Sequence, residues 1–222
     1  MHDPAVLLLT AHGTASASGS ATTAALHQAI RAARPGQPTE LCFLDVVRPS
    51  LAEALDGLRG RAAIVVPLLL SAGYHVQTDI PTVVTGRSDV RVARHLGPDR
   101  LLVAALADRL AAARGSSVPR STVLVGVGSS RPAAAHDIAV TARLLSEHLG
   151  RHVHTATLSA DLRSQLTQLE PPVEIATYLL AGGEFLGAIR QSAADISTVA
   201  EPIGVHPALV QLVLERYDEA RR

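Results

Sequence analysis

The chain has 222 residues with 20 acidic and 20 basic side chains, so its formal net charge is zero, and every basic residue is Arg. Zero net charge and 2% aromatic content argue against nucleic acid as a partner, because neither a long-range field nor a stacking platform is available. The lack of Lys excludes Schiff-base and Walker-type lysine chemistry, and a single cysteine, Cys42, excludes a disulfide, a thiolate zinc cage or a cysteine-held iron–sulfur cluster within one chain.

Ala5 to Thr10 (AVLLLT) reads as a strand buried on both faces of a parallel sheet, with His12 just past its carboxyl end. A loop of small residues, Ala15 to Ser20, leads into a helix carrying Leu26 and Ile30, which stops before Pro35 and Gly36. Glu40 to Val47 (ELCFLDVV) is predicted as the second strand, with Asp45 near its end and Cys42 as a buried small hydrophobe. Ser50 and Glu53 spell a capping box for a short helix bearing Leu51, Leu55 and Leu58. Ala62 to Leu70 (AAIVVPLLL) is the third strand, and the loop beyond it, Gly73 to Pro81 (GYHVQTDIP), holds His75 and Asp79. Val90 to Ala93 is the fourth strand, followed through Gly97-Pro98 by a helix with Leu102, Leu106 and Leu110. The longest apolar run, Ile64 to Leu70, is too short to span a bilayer, and no charged-then-apolar leader is seen. The expectation is a soluble cytoplasmic protein with no membrane partner.

After a loop from Arg114 to Pro119 the pattern starts again. Ser121 to Val127, Val153 to Leu158, Val173 to Leu180 and Ser197 to Ala200 read as strands, with a helix from Pro132 to Leu149. The halves also align residue by residue: Ala11–Thr14 with Gly126–Ser129, Leu69–Gly73 with Leu179–Gly183, Leu96 with Ile203, Arg109 with Arg216. The prediction is an α/β chain of two tandem flavodoxin-like units, residues 1–118 and 119–222, each a four-stranded parallel sheet flanked by helices. On this alignment Val127 replaces His12 and Phe185 replaces His75. Chemistry that uses both imidazoles is therefore confined to the first half.

Ligands of open parallel sheets bind outside the carboxyl ends of the strands, where His12, Asp45 and His75 are expected to meet. Two imidazoles and a carboxylate make an open divalent-metal site suited to iron, cobalt, nickel or zinc. Such imidazoles also accept protons near neutral pH. The remaining features carry plainer readings. His152 and His154 form an H-x-H on one face of a strand, taken as a solvent face; His136 is an exposed helix residue and His206 part of a turn. AGGEFLG, Ala181 to Gly187, lacks phosphate-loop spacing and reads as a strand-to-helix turn.

LLLTAHGT, FLDVVRPSL, VVPLLLSAGYHVQTDIP, the LGPDRLL helix start, VGVGSS and HPALVQLVLERYDEA together resemble the sirohydrochlorin chelatases of CbiX type, the two-repeat class II chelatases. The resemblance implies ATP-independent insertion of a divalent metal, Fe2+ or Co2+, into a tetrapyrrole in a cleft between two flavodoxin-like halves, serving siroheme or cobalamin biosynthesis. The metal is then a substrate, and no organic cofactor is required. His12 matches the family's AHGS histidine and His75 the histidine of its GxH…DIP segment, which implies metal binding and uptake of pyrrole protons. Asp45 stands where many members carry Glu. One methylene shorter, it fits a proton relay or an outer position as well as direct metal contact. HGT for HGS and the small-residue loop depart from the family pattern. Arg48, Arg87 and Arg131 are the candidates to pair with the macrocycle's carboxylates. A non-catalytic metal or tetrapyrrole carrier is the competing reading, and the sequence leaves monomer and homodimer open.

Overall fold

The computed structural model describes residues 4–115 and 118–222; residues 1–3, and residues 116–117 within the predicted Arg114–Pro119 loop, lie outside the described residues. The first sheet contains β1 (Val6–Ala11), β2 (Thr39–Phe43), β3 (Ala63–Pro67) and β4 (Val90–Val92), all parallel, in the order β2-β1-β3-β4. The second contains β5 (Ser121–Gly126), β6 (Val153–Thr157), β7 (Val173–Thr177) and β8 (Ser197–Val199), also parallel, in the equivalent order β6-β5-β7-β8. The inner strands β1, β3, β5 and β7 are buried at every residue, as inner strands of a parallel sheet covered on both faces are, with Glu174 of β7 the buried charge among them.

The helices are α1 (Ala17–Ala33), α2 (Leu51–Gly57), α3 (Ile80–Val84), α4 (Arg100–Ala113), α5 (Pro132–Leu149), α6 (Leu162–Thr167), α7 (Glu184–Ala193) and α8 (Pro207–Arg221). Ser16 caps α1, so that helix starts inside the stretch expected to be loop. The Ser50–Glu53 capping box opens α2 as expected. Two elements differ from the sequence reading where it matters for the site. β2 ends at Phe43 rather than Val47, because the chain turns back at Val46, whose φ is 63°. The GYHVQTDIP stretch is helical rather than a loop: His75–Asp79 forms one π-helical turn that runs directly into α3. Pro81 has no N–H to donate to the preceding turn, and Ile80 N–H instead reaches back five residues to His75 O.

The two halves exchange their last helices. α4, from the first half, packs on β7, β8, α5 and α8, whereas α8, from the second, packs on β3, β4 and α1. The largest apolar cluster accordingly joins Leu7, Leu9 and Val66 to Leu124, Leu212 and Tyr217. Each buried Leu or Val of such a cluster contributes roughly 1.5–3 kcal/mol relative to exposure. Paired arginines lock the exchange. Arg216 of α8, 1% exposed, donates to His95 O (3.1 Å), Leu96 O (3.0 Å) and Asp99 Oδ2 (2.7 Å) in the first half. Arg109 of α4, its repeat counterpart, donates to Ile203 O in the second half at 3.1 and 2.7 Å.

Candidate functional site

β1 leads by way of α1 to β2 on one side, and β3 leads to β4 on the other, so the chain diverges between the carboxyl ends of β1 and β3. Such a divergence leaves a crevice, the usual ligand position in open parallel sheets. His12 follows β1 and His75 follows β3. The structure brings them together: the ring centroids are 4.6 Å apart with the planes at 87°.

Each imidazole has its Nδ1 occupied. His12 Nδ1 lies 3.1 Å from Gly13 O and His75 Nδ1 lies 2.5 Å from Asp79 Oδ2. A carbonyl or carboxylate oxygen can only accept, so each Nδ1 carries the proton and each Nε2 keeps a free lone pair. A metal about 2.1 Å from an imidazole nitrogen is roughly 3.2 Å from the ring centre, so two rings sharing one ion at a ligand angle of about 90–109° have centres roughly 4.5–5.2 Å apart, whatever the angle between their planes. The observed spacing fits that arrangement. Asp79 is the site residue that the sequence reading named but gave no role. The signal was present, since i and i+4 share a helical face once the segment is recognised as helical.

Asp45 is placed differently from expectation. Its backbone is close, with Asp45 N–H donating to His12 O at 2.9 Å. Its exposed carboxylate, however, accepts from Val46 N–H at 2.8 Å. Among the described residues no three His, Cys, Asp or Glu side chains gather as a metal cage. The pair therefore leaves most coordination positions open. Cys42 supplies no further donor: burial pushes its thiol up to about 12, and it sits against Thr10 in the core, as the sequence suggested.

The second half builds the rest of the crevice. Asp137 of α5, 8% exposed, accepts from Ala72 N–H at 2.7 Å and from His95 Nε2 at 3.0 Å. Tyr178 donates its hydroxyl to Leu70 O at 2.8 Å. Burial raises that phenol above its usual range and keeps it a donor. The loop leading into His75 is thus held at Leu70 and Ala72 by residues of the other repeat. No sequence signal marks these contacts, because the partners lie far apart in the chain. Arg131, also from the second half, lies with its guanidinium carbon 5.2 Å from the centre of the Tyr74 ring. Of the arginines proposed for carboxylates, Arg48 pairs with Glu53 and Arg87 with Asp56; Arg131 has no carboxylate partner among the described residues. Val46, Tyr74 and Phe185 are large apolar residues left exposed, each following the carboxyl end of a strand. A neighbouring cavity of about 600 Å³ runs from Ser16 and Ser18 to Gly182 and Gly183, but neither imidazole lines it. Its arginines are engaged, Arg109 with Ile203 O and Arg190 with Glu201.

The CbiX family model matches residues 6–113 and again 121–220, once for each repeat. The chain belongs to the CbiX family. Its two four-stranded parallel sheets form the two-repeat chelatase fold. SirB from Bacillus subtilis, solved with Fe3+, is 23% identical over 97% of this chain and 94% of its own, with a TM-score of 0.81. The sirohydrochlorin chelatase SirB of B. subtilis subspecies spizizenii, solved with cobalt, is 21% identical over the same shares, also at 0.81. CbiX, described as the terminal enzyme of siroheme biosynthesis in denitrifying bacteria, is 19% identical over 96% of this chain and 98% of its own, at 0.72. These likenesses establish the CbiX fold across both repeats. No curated protein sequence matches the chain.

Proposed function

We propose that this CbiX-family protein is a chelatase that inserts a divalent metal, Co2+ or Fe2+, into sirohydrochlorin or a closely related tetrapyrrole. The observation that carries the reading is the pair of free Nε2 atoms on His12 and His75, in an open crevice flanked by the second repeat. Family membership and the metal-bearing SirB neighbours support it.

The reaction exchanges two pyrrole protons for one metal ion while the metal sheds water. A two-imidazole site holds the ion without enclosing it, so ring nitrogens can replace water at the open positions. The two histidines are not equivalent. Asp79 behind His75 stabilises a positive imidazolium, which suits His75 to accept a pyrrole proton. His12, backed only by a neutral carbonyl, suits the role of ligand that releases the ion. Asp45, beside His12 but turned to the Val46 amide, remains a candidate to carry protons to solvent. Exposed Tyr74, Val46 and Phe185 offer apolar contact to a flat macrocycle, and Arg131 offers charge to its carboxylates.

Insertion is measured from the change in macrocycle absorbance on adding Co2+ or Fe2+ to sirohydrochlorin and protein. Insertion faster than in buffer, and lost in His12→Ala and His75→Ala, is the expected result. Binding of metal or macrocycle without acceleration would replace the enzyme by a carrier. Competition between the two metals in the same assay decides which is preferred.

A further inference from the structure

We infer that His152 and His154 form a second divalent transition-metal site, in the half of the chain that lacks the first pair. His154 is the second residue of β6 and His152 immediately precedes it. β6 pairs only with β5, so it is an edge strand with one side open. The two rings lie 4.4 Å apart between centroids, with planes at 87°, nearly repeating the spacing and angle of His12 and His75. The distance is again close to what two imidazoles sharing one ion at a ligand angle of about 90° require.

These rings have no other evident task. His12, His27, His75, His95 and His206 each have a ring nitrogen committed to a protein oxygen. His152 and His154, like His136 and His148 of α5, have no such partner among the described residues, but of these four only His152 and His154 stand ring to ring. His152 is exposed and His154 half-buried, as a solvent face predicts, and both line an open groove of about 530 Å³ bordered by Ala139 and Arg143 of α5 and by Gln165 of α6.

The repeat makes the pair specific to this half. The equivalence of His12 with Val127 carries Leu7 to Thr122; Leu7 pairs with Thr39 and Thr122 with Val153. Pro38 and Glu40 therefore stand where the second half has His152 and His154. Two imidazoles with water at the remaining positions suit Co2+, Ni2+, Cu2+ or Zn2+ and discriminate little among them. The site lies on the other sheet, at the amino-terminal end of its strand, and does not depend on the function proposed for His12 and His75.

The test uses untagged full-length protein and Co2+ alone, with bound metal measured by calorimetry and equilibrium dialysis. His12→Ala/His75→Ala protein is expected to keep one equivalent of bound Co2+, and adding His152→Gln and His154→Gln to remove it. In parallel, Ni2+ is expected to broaden amide resonances along β6 in the His12→Ala/His75→Ala protein. Absence of bound Co2+ in that protein, or retention of the equivalent after the two Gln substitutions, overturns the inference. Circular dichroism and the thermal midpoint confirm that each variant is folded, and the metal-insertion assay reports separately on the first pair.

Discussion

The carboxylate of Asp137, in the second repeat, accepts a 2.7 Å hydrogen bond from the amide of Ala72, three residues before His75 in the first. The same oxygen, Oδ2, is 3.0 Å from His95 Nε2. A nearly buried carboxylate thus anchors the loop that leads into the His75 segment. Asp137→Ala removes the acceptor from both donors, a loss of about 1.5–3 kcal/mol for each charge-assisted bond. Metal insertion is expected to fall at least about tenfold as His75 loses its support, and the urea midpoint to drop. His95→Gln, which leaves the Ala72 bond in place, is expected to keep most activity. Equal losses in the two variants would mean that Asp137 matters only for stability.

Arg131→Ala is expected to raise the KM for the tetrapyrrole while leaving kcat within about twofold, because the guanidinium sits beside Tyr74 rather than against either imidazole. Steady-state insertion rates at several macrocycle concentrations check this. A fall in kcat alone would remove Arg131 from substrate binding.

Gly13→Ala is expected to abolish insertion and destabilise the fold. Gly13 has φ of 96°, and a Cβ there would overlap the carbonyl oxygen of Asp45. The displaced segment is the one that carries His12. Activity and the thermal midpoint are both read, and an active, stable Gly13→Ala protein would disprove the close approach.

Arg34, at the end of α1, donates both terminal nitrogens to Asp218 of α8 at 2.7 Å. The Arg34 side-chain bond, the largest influence, holds the Asp218 carboxyl below its ordinary range. A depressed carboxyl contributes stability that is present above its unfolded pKa, near 4, and is lost as pH falls through the lower folded value. The side chains are 33% and 41% exposed, so solvent screening limits the pair to about 1 kcal/mol or less. Asp218→Asn is expected to lower the urea midpoint at pH 7 and to match wild type near pH 2. An equal deficit at both pH values would exclude the ion pair as its cause.

Residues 1–118 and 119–222, produced separately, are each expected to lack a cooperative unfolding transition. Each would expose the helix that belongs against the other's sheet and lose the helix that covers its own. Mixing them is expected to restore the transition and the activity. Cooperative unfolding of either piece alone would show that the exchanged helices are dispensable.

Much of this was legible in the residues. Apolar runs locate the inner strands β1 and β3, and the internal repeat places their counterparts β5 and β7 in the second half, whereas the order of the strands within each sheet comes from the structure. His12 and His75 were marked by their places after two strands and by their replacement with Val127 and Phe185. The local backbone is less legible: apolar residues continue past Phe43, although Val46 takes a positive φ and β2 has ended, and Pro81 resembles a loop signal where the chain forms a π-helical turn at His75. Alternation puts His152 and His154 on one solvent-facing side of β6, and His152 is exposed there, but it does not show the groove against α5 that both line.

By itself, the sequence determined the two α/β units, the parallel sheets and the half that carries the first histidine pair, because these follow from periodicity and from differences between repeats. Only the tertiary structure decided that α4 and α8 change partners, that Asp137 and Tyr178 hold the His75 loop, that Asp79 rather than Asp45 backs an imidazole, and that Arg131 lies at Tyr74. Those contacts depend on how two sheets pack and on which way short side chains turn at strand ends. Hydrophobic patterning is nearly blind to both, because it records the burial of a residue and not the identity of its neighbour.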